Sequence, residues 1–365
     1  MRDGLMPEPR AMKASGDELM ETPTPKERLL SVLRQEREKI DRPPVICAGG
    51  MMNAAVVEVM ENTGHRLPEG HHDEDLMVQI ALDVYEQTGF ENFGLPFCMT
   101  VEAEGAGSAV SLGSLSCEPK IEKEAYPSVS DVEVRDVQTV VRSGRIPIVL
   151  AAVERLSKQY PHIPVIGTLT GPVSLAASLV DPVTFYKELR TKRERSHEIL
   201  DYISDLLGTF AELLVEHGAT VVAIGDPSAT GEILGPRTFE EYVVKYVNRI
   251  ADRVHIAGAP LILHICGHLN SVTHLLPELR VEAISTDALV SLPRLKEDHP
   301  ELVTMGNVST YLLEFGDAER VARTTARLVE GGVDIIAPDC GLSTSTPLRL
   351  IRALTEAVKE GPRRG

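Results

Sequence analysis

Short apolar runs recur along the chain, each closing on glycine or a polar residue, and most are followed by a stretch whose apolar positions keep helical spacing. The runs lie at 43–50, 90–97, 163–172, 220–225, 261–268, 283–287, 303–307 and 333–341. Most are continuous rather than alternating, as expected of strands covered on both faces. Helical spacing predicts elements at 51–60 (Met-rich), 73–88, 137–160 (broken near 144–147), 181–217, 239–254 and 347–358. A first helix is marked by Thr24 in an N-cap position with Pro25 behind it. The segment 101–119 alternates small, apolar and charged residues, and its glycines argue for an inserted antiparallel hairpin over a helix.

Strand and helix alternate about eight times, which predicts an α/β chain with a parallel sheet. Polar residues at the carboxyl ends of successive strands favour a (β/α)8 TIM barrel with an N-terminal helical extension and the inserted hairpin, an open doubly wound sheet being the alternative. Residues 1–24 read as a polar, mobile leader and 25–365 as one barrel domain.

The run at 261–268 ends in metal-ligand chemistry. His264 and Cys266 are two apart and share one side of a strand, and Cys340 closes the last run, again before a glycine. Each residue alone reads as core; together they form a three-ligand set suited to Zn2+ with a fourth position open. In a barrel, Asp226, Asp287, Asn307 and Asp339 would converge on the same mouth. Asp226, Glu232, Asp287 and Asp339 are the candidates for moving protons or orienting ligands, Asp226 being equally readable as a turn carboxylate and Asp339 as a support for the Cys340 loop. Glycines at the strand ends, Gly49 and Gly171 among them, would let a large planar ligand approach the backbone, with Met51 and Asn307 as further contacts. His268 reads as a neighbour of the site, and Cys47, Cys98 and Cys117 as structural.

The formal charge of −17 over 365 residues argues against nucleic acid and anionic membranes as partners. Five dispersed cysteines do not resemble a disulfide framework, and no apolar stretch approaches the roughly 18–20 residues of a spanning helix. A soluble, cytoplasmic chain whose partners are small molecules or another protein is expected.

His264-x-Cys266 with Cys340, the 226–232 loop Asp-Pro-Ser-Ala-Thr-Gly-Glu, the 171–176 turn and Met305-Gly306-Asn307 resemble the uroporphyrinogen decarboxylase superfamily, and within it the zinc- and cobamide-dependent methyltransferases. The resemblance implies a TIM barrel, zinc on the His-x-Cys and Cys set, and a cobamide on a separate corrinoid protein docking over the mouth. It implies methyl transfer to a thiol such as coenzyme M, or from a methoxy or methylated donor, with a homodimer left open. The decarboxylase activity is the internal alternative. Its octa-carboxylate substrate calls for arginines after the first strand, and the loop 47–53 carries none. A non-catalytic corrinoid- or metal-binding scaffold is the second alternative, disfavoured by the intact ligand set.

Overall fold

The computed structural model describes residues 22–361. Its strands are β1 (Phe93–Leu95), β2 (Ala109–Ser111), β3 (Lys120–Lys123), β4 (Val165–Thr170), β5 (Val221–Gly225), β6 (Leu261–Ile265), β7 (Ala283–Thr286), β8 (Val303–Val308) and β9 (Ile335–Pro338). Seven pair in parallel in the order β1-β4-β5-β6-β7-β8-β9, and β2 and β3 form a separate antiparallel hairpin. Helices cover the outer face, so β4 through β9 are buried at every position and need no alternation.

The first apolar run closes the ring with a bridge in place of a full strand. Val45 pairs with Ile336 of β9, and Glu91 N–H donates to Val45 O at 2.9 Å just ahead of β1. Asn92 completes the join, accepting from Cys47 N–H and donating to Cys47 O. The eight-unit barrel therefore appears as seven strands plus this bridge.

Four expectations need correction. Val101–Ala106 is a helix, and the hairpin begins only at Ala109. Gly105 has low helix propensity, but a Cβ there would lie 3.3 Å from Ile146 Cδ1, so the glycine permits helix packing. The Met-rich stretch is helical only over Val57–Thr63, because the backbone of 51–56 turns across the barrel mouth instead. The long helical region at 181–217 is two helices, Pro182–Thr191 and Arg193–Glu216, divided at Lys192 (φ −130°). The helix expected at 239–254 opens with a π turn over Glu240–Val244 before Lys245–Ala257. The helix Pro25–Leu33 forms as read, with a reciprocal capping box between Thr24 and Glu27. Most of the leader, residues 1–21, lies outside the described residues. No helix among those described is long and apolar enough to cross a membrane.

Candidate metal centre

β6 and β9 carry their terminal residues to the same end of the barrel. His264 lies within β6, Cys266 one residue past it and Cys340 two past β9, and their ligand atoms all fall within 4.8 Å of one another. His264 Nε2 is 3.2 Å from Cys266 Sγ, which is 3.5 Å from Cys340 Sγ.

Sheet register fixes the histidine. Ser285 of β7 is the register partner of His264, and its Oγ lies 2.9 Å from Nδ1. That contact occupies one ring nitrogen and leaves Nε2 facing the thiols, the arrangement a metal-bound imidazole needs. Ser285 is fully buried and was missed in the sequence. A small polar residue inside an otherwise apolar buried strand was the available signal.

Two thiols in contact share a proton. The hydrogen bond from Cys266 holds the Cys340 thiol below the usual cysteine range, against burial and with help from His264. The same bond, burial and the charges of Cys340, Asp287 and Asp339 push Cys266 up. A divalent cation that replaced this proton would satisfy both sulfurs, so the donor set fits zinc.

The four candidate carboxylates divide by location. Asp287 Oδ2 accepts from Gly267 N–H at 2.5 Å and Oδ1 from Leu289 N–H, bracing the turn behind Cys266. Gly267 has a φ of +79°, which a side chain would strain. Asp339 Oδ2 accepts from Ala288 N–H and Oδ1 from Thr310 N–H, tying the loops after β7 and β8 to the residue before Cys340. Glu232 is exposed on the rim, 3.9 Å from His268 Nε2. Asp226 is fully buried and accepts from Ser174 Oγ and from Val173 and Ser174 N–H. It braces the start of the helix Pro172–Leu179, and burial, partly offset by those bonds, pushes its pKa up to about 6.

The residues expected to meet a planar ligand are also dispersed. Gly49 packs on β1, where a Cβ would sit 2.7 Å from Gly94 C. Gly171 makes room for Asp226, whose Cβ would lie 2.3 Å from an added methyl. Asn307 donates to Asp287 O and Val290 O, so it supports the loop after β7. Met51 does face the mouth: its backbone oxygen packs against Gly341, and it lines a cavity of about 770 Å³ with Glu118, Lys120, Tyr311 and Cys340. Glu118 and Tyr311 carry no periodic or motif signal and were not singled out from the sequence.

The described fold has counterparts among known proteins. Methylcobamide:CoM methyltransferase MtbA of Methanosarcina acetivorans is 31% identical over 92% of this chain and 98% of its own length. A methylated-thiol–coenzyme M methyltransferase of Methanosarcina mazei is 28% identical over 84% of this chain and 82% of that relative. A solved methyltransferase from Methanosarcina mazei superposes with a TM-score of 0.86 at 30% identity, covering 93% of this chain and 99% of that one. The family model described as uroporphyrinogen decarboxylase (URO-D) matches residues 24–361, and the chain belongs to that family.

Proposed function

We propose that this chain is a cobamide-dependent methyltransferase that moves a methyl group from a methylcobamide to a small thiol at a zinc held by His264, Cys266 and Cys340. The observation that carries the reading is the convergence of three ligand atoms within 4.8 Å at the open end of the barrel, with Ser285 already orienting the imidazole. Relatives named for methyl transfer from methylcobamide to coenzyme M support the donor and the acceptor class.

Zinc at a site with two thiolates and one imidazole supplies the acidity that keeps an incoming thiol deprotonated at neutral pH. The chain's own residues do the rest. Ser285 sets the imidazole, Asp287 holds the Cys266 turn and Asp339 the Cys340 loop, so the ligands are positioned before the acceptor arrives. Asp226, Gly49, Gly171 and Asn307 serve as supports of this mouth. The thiol proton leaves towards solvent past Glu232 and His268 on the rim. Met51 and the aromatic pair Tyr311 and Phe315, whose ring centroids are 5.0 Å apart, present apolar surface to a corrinoid protein approaching the mouth.

Cobalt absorbance tests the reading. Loss of methylcobalamin to Co(I) in the presence of a thiol, with the thioether recovered, is the expected result. Methyl transfer to Co(I) from methoxylated compounds, with no thiol methylated, would reverse the direction. Corrinoid binding without turnover in either direction would favour a scaffold.

A further inference from the structure

The cavity beside Cys340 carries a charge pattern of its own. Its outer wall is the tip of the β2–β3 hairpin, held to the loop after β9 by Thr344 Oγ1 donating to Ser116 O at 3.0 Å. From that tip Glu118 lines the cavity and accepts from Asn53 Nδ2 at 3.4 Å. Burial, partly offset by Asn53, and then the charge of Cys340 hold its carboxyl above the usual range. Glu314 lines the cavity as well, its Oε1 accepting from Ser345 Oγ at 2.7 Å. Lys120 is the single basic residue in this lining, and no arginine contributes to it.

A smaller pocket shares Glu118 and Thr344 with this cavity, is lined by Asn53 as well, and ends on His71, which is 1% exposed and has no hydrogen-bond partner on either ring nitrogen. Burial, then Arg145 and His72, lower its pKa to about 3. The imidazole therefore supplies a neutral polar group and no positive charge. Two carboxylates against one lysine disfavour a sulfonate or other strong anion and favour a cationic group.

Resting on the methyl-transfer reading above, we propose that the acceptor is an aminothiol, with its sulfur at the position left open by His264, Cys266 and Cys340 and its protonated amine against Glu118 and Glu314. In the step, the acceptor's S–H proton leaves to solvent and its sulfur forms the S–CH3 bond. The Co–CH3 bond of methyl-Co(III) breaks, and its electron pair stays on cobalt as Co(I). In this assignment the amine would meet the two lining carboxylates, to which a charge-assisted hydrogen bond is stronger than a neutral one. A relative's acceptor being coenzyme M does not carry over under this assignment, because the selecting groups differ in sign from what a sulfonate needs.

The test uses the zinc-loaded full chain with 2-mercaptoethylamine, homocysteine, 2-mercaptoethanol and 2-mercaptoethanesulfonate. Methylcobalamin consumption gives kcat/KM for each, and calorimetric titration without corrinoid gives Kd. 2-Mercaptoethylamine is expected to exceed the neutral thiol by about tenfold in both measures, the scale of one charge-assisted contact, and the sulfonate by more, with homocysteine, whose carboxylate offsets its amine, falling below 2-mercaptoethylamine. Glu118→Gln, with Glu314→Gln as the second variant, is expected to reduce the aminothiol-to-neutral ratio about tenfold at unchanged zinc content. A wild-type preference for the sulfonate, lost in Lys120→Gln, would overturn the assignment and leave the methyl-transfer reading standing. Binding in the expected order with no thiol methylated would overturn the methyl-transfer reading instead.

Discussion

His264 and Ser285 are register partners on adjacent strands, and their side chains meet at 2.9 Å, Nδ1 to Oγ. The contact is buried on both sides, so it sets the ring before any metal arrives. Replacing it with Ser285→Ala is expected to weaken zinc binding by about 10–100-fold, the usual cost of losing a ligand's supporting hydrogen bond. Competition against a chromogenic chelator measures it. Affinity equal to wild type would show that the imidazole needs no such support.

Glu91 stands where the barrel closes. It accepts from Val45 N–H and pairs with Arg42 and Arg28, the latter 3% exposed. Burial raises its pKa, but the Arg42 hydrogen bond and the charges of Arg42 and Arg28 outweigh that and leave it below the ordinary value. A depressed carboxylate contributes stability that is present above its unfolded pKa of about 4.3 and lost as pH falls through the folded value. Urea midpoints are therefore expected to drop below about pH 4.3 in wild type, and to drop less steeply there in Glu91→Gln. At neutral pH the same substitution is expected to cost about 3 kcal/mol, because Arg28 and Arg42 lose their shared partner.

Gly171→Ala tests the packing reading of that residue. An added methyl meets Asp226 at 2.3 Å, inside any real contact, so either the helix start or the carboxylate must shift. A loss of about 1–3 kcal/mol in chemical denaturation is expected. A variant as stable as wild type would return Gly171 to the set of ligand-facing glycines.

The cysteines should separate by reactivity. Cys117 is exposed on the hairpin tip, whereas Cys47 and Cys98 are buried, and burial pushes the Cys47 thiol well up. Native alkylation followed by peptide mapping is expected to label Cys117 first and to leave Cys47 and Cys98 untouched until the protein unfolds. Early labelling of Cys47 would mean that the barrel closure at Val45 opens readily.

Much of the centre was legible because its signals are local. His264 and Cys266 share a strand face by spacing alone, and the glycine after Cys340 marks where its strand must end. Ser285 was not legible, since its role depends on which strand lies beside β6 and in which register. Asp226 and Asn307 looked available for chemistry because their strand-end positions were correct; only side-chain direction shows that helix and loop backbone use their polar atoms. The helix Val101–Ala106 was hidden by Gly105, where the requirement for close packing overrode a low helix propensity. The first strand shrank to a bridge because 48–52 turns back across the mouth, with Gly49 at a φ of +98° and Gly50 at +61°.

The central claim is a zinc on His264, Cys266 and Cys340, and metal analysis of the purified chain tests it most directly. Wild type is expected to hold about one zinc per chain, the stoichiometry of a single three-ligand site, and Cys266→Ala and Cys340→Ala to lose most of it while remaining folded by circular dichroism. Zinc retained at the wild-type level in both variants would contradict the account.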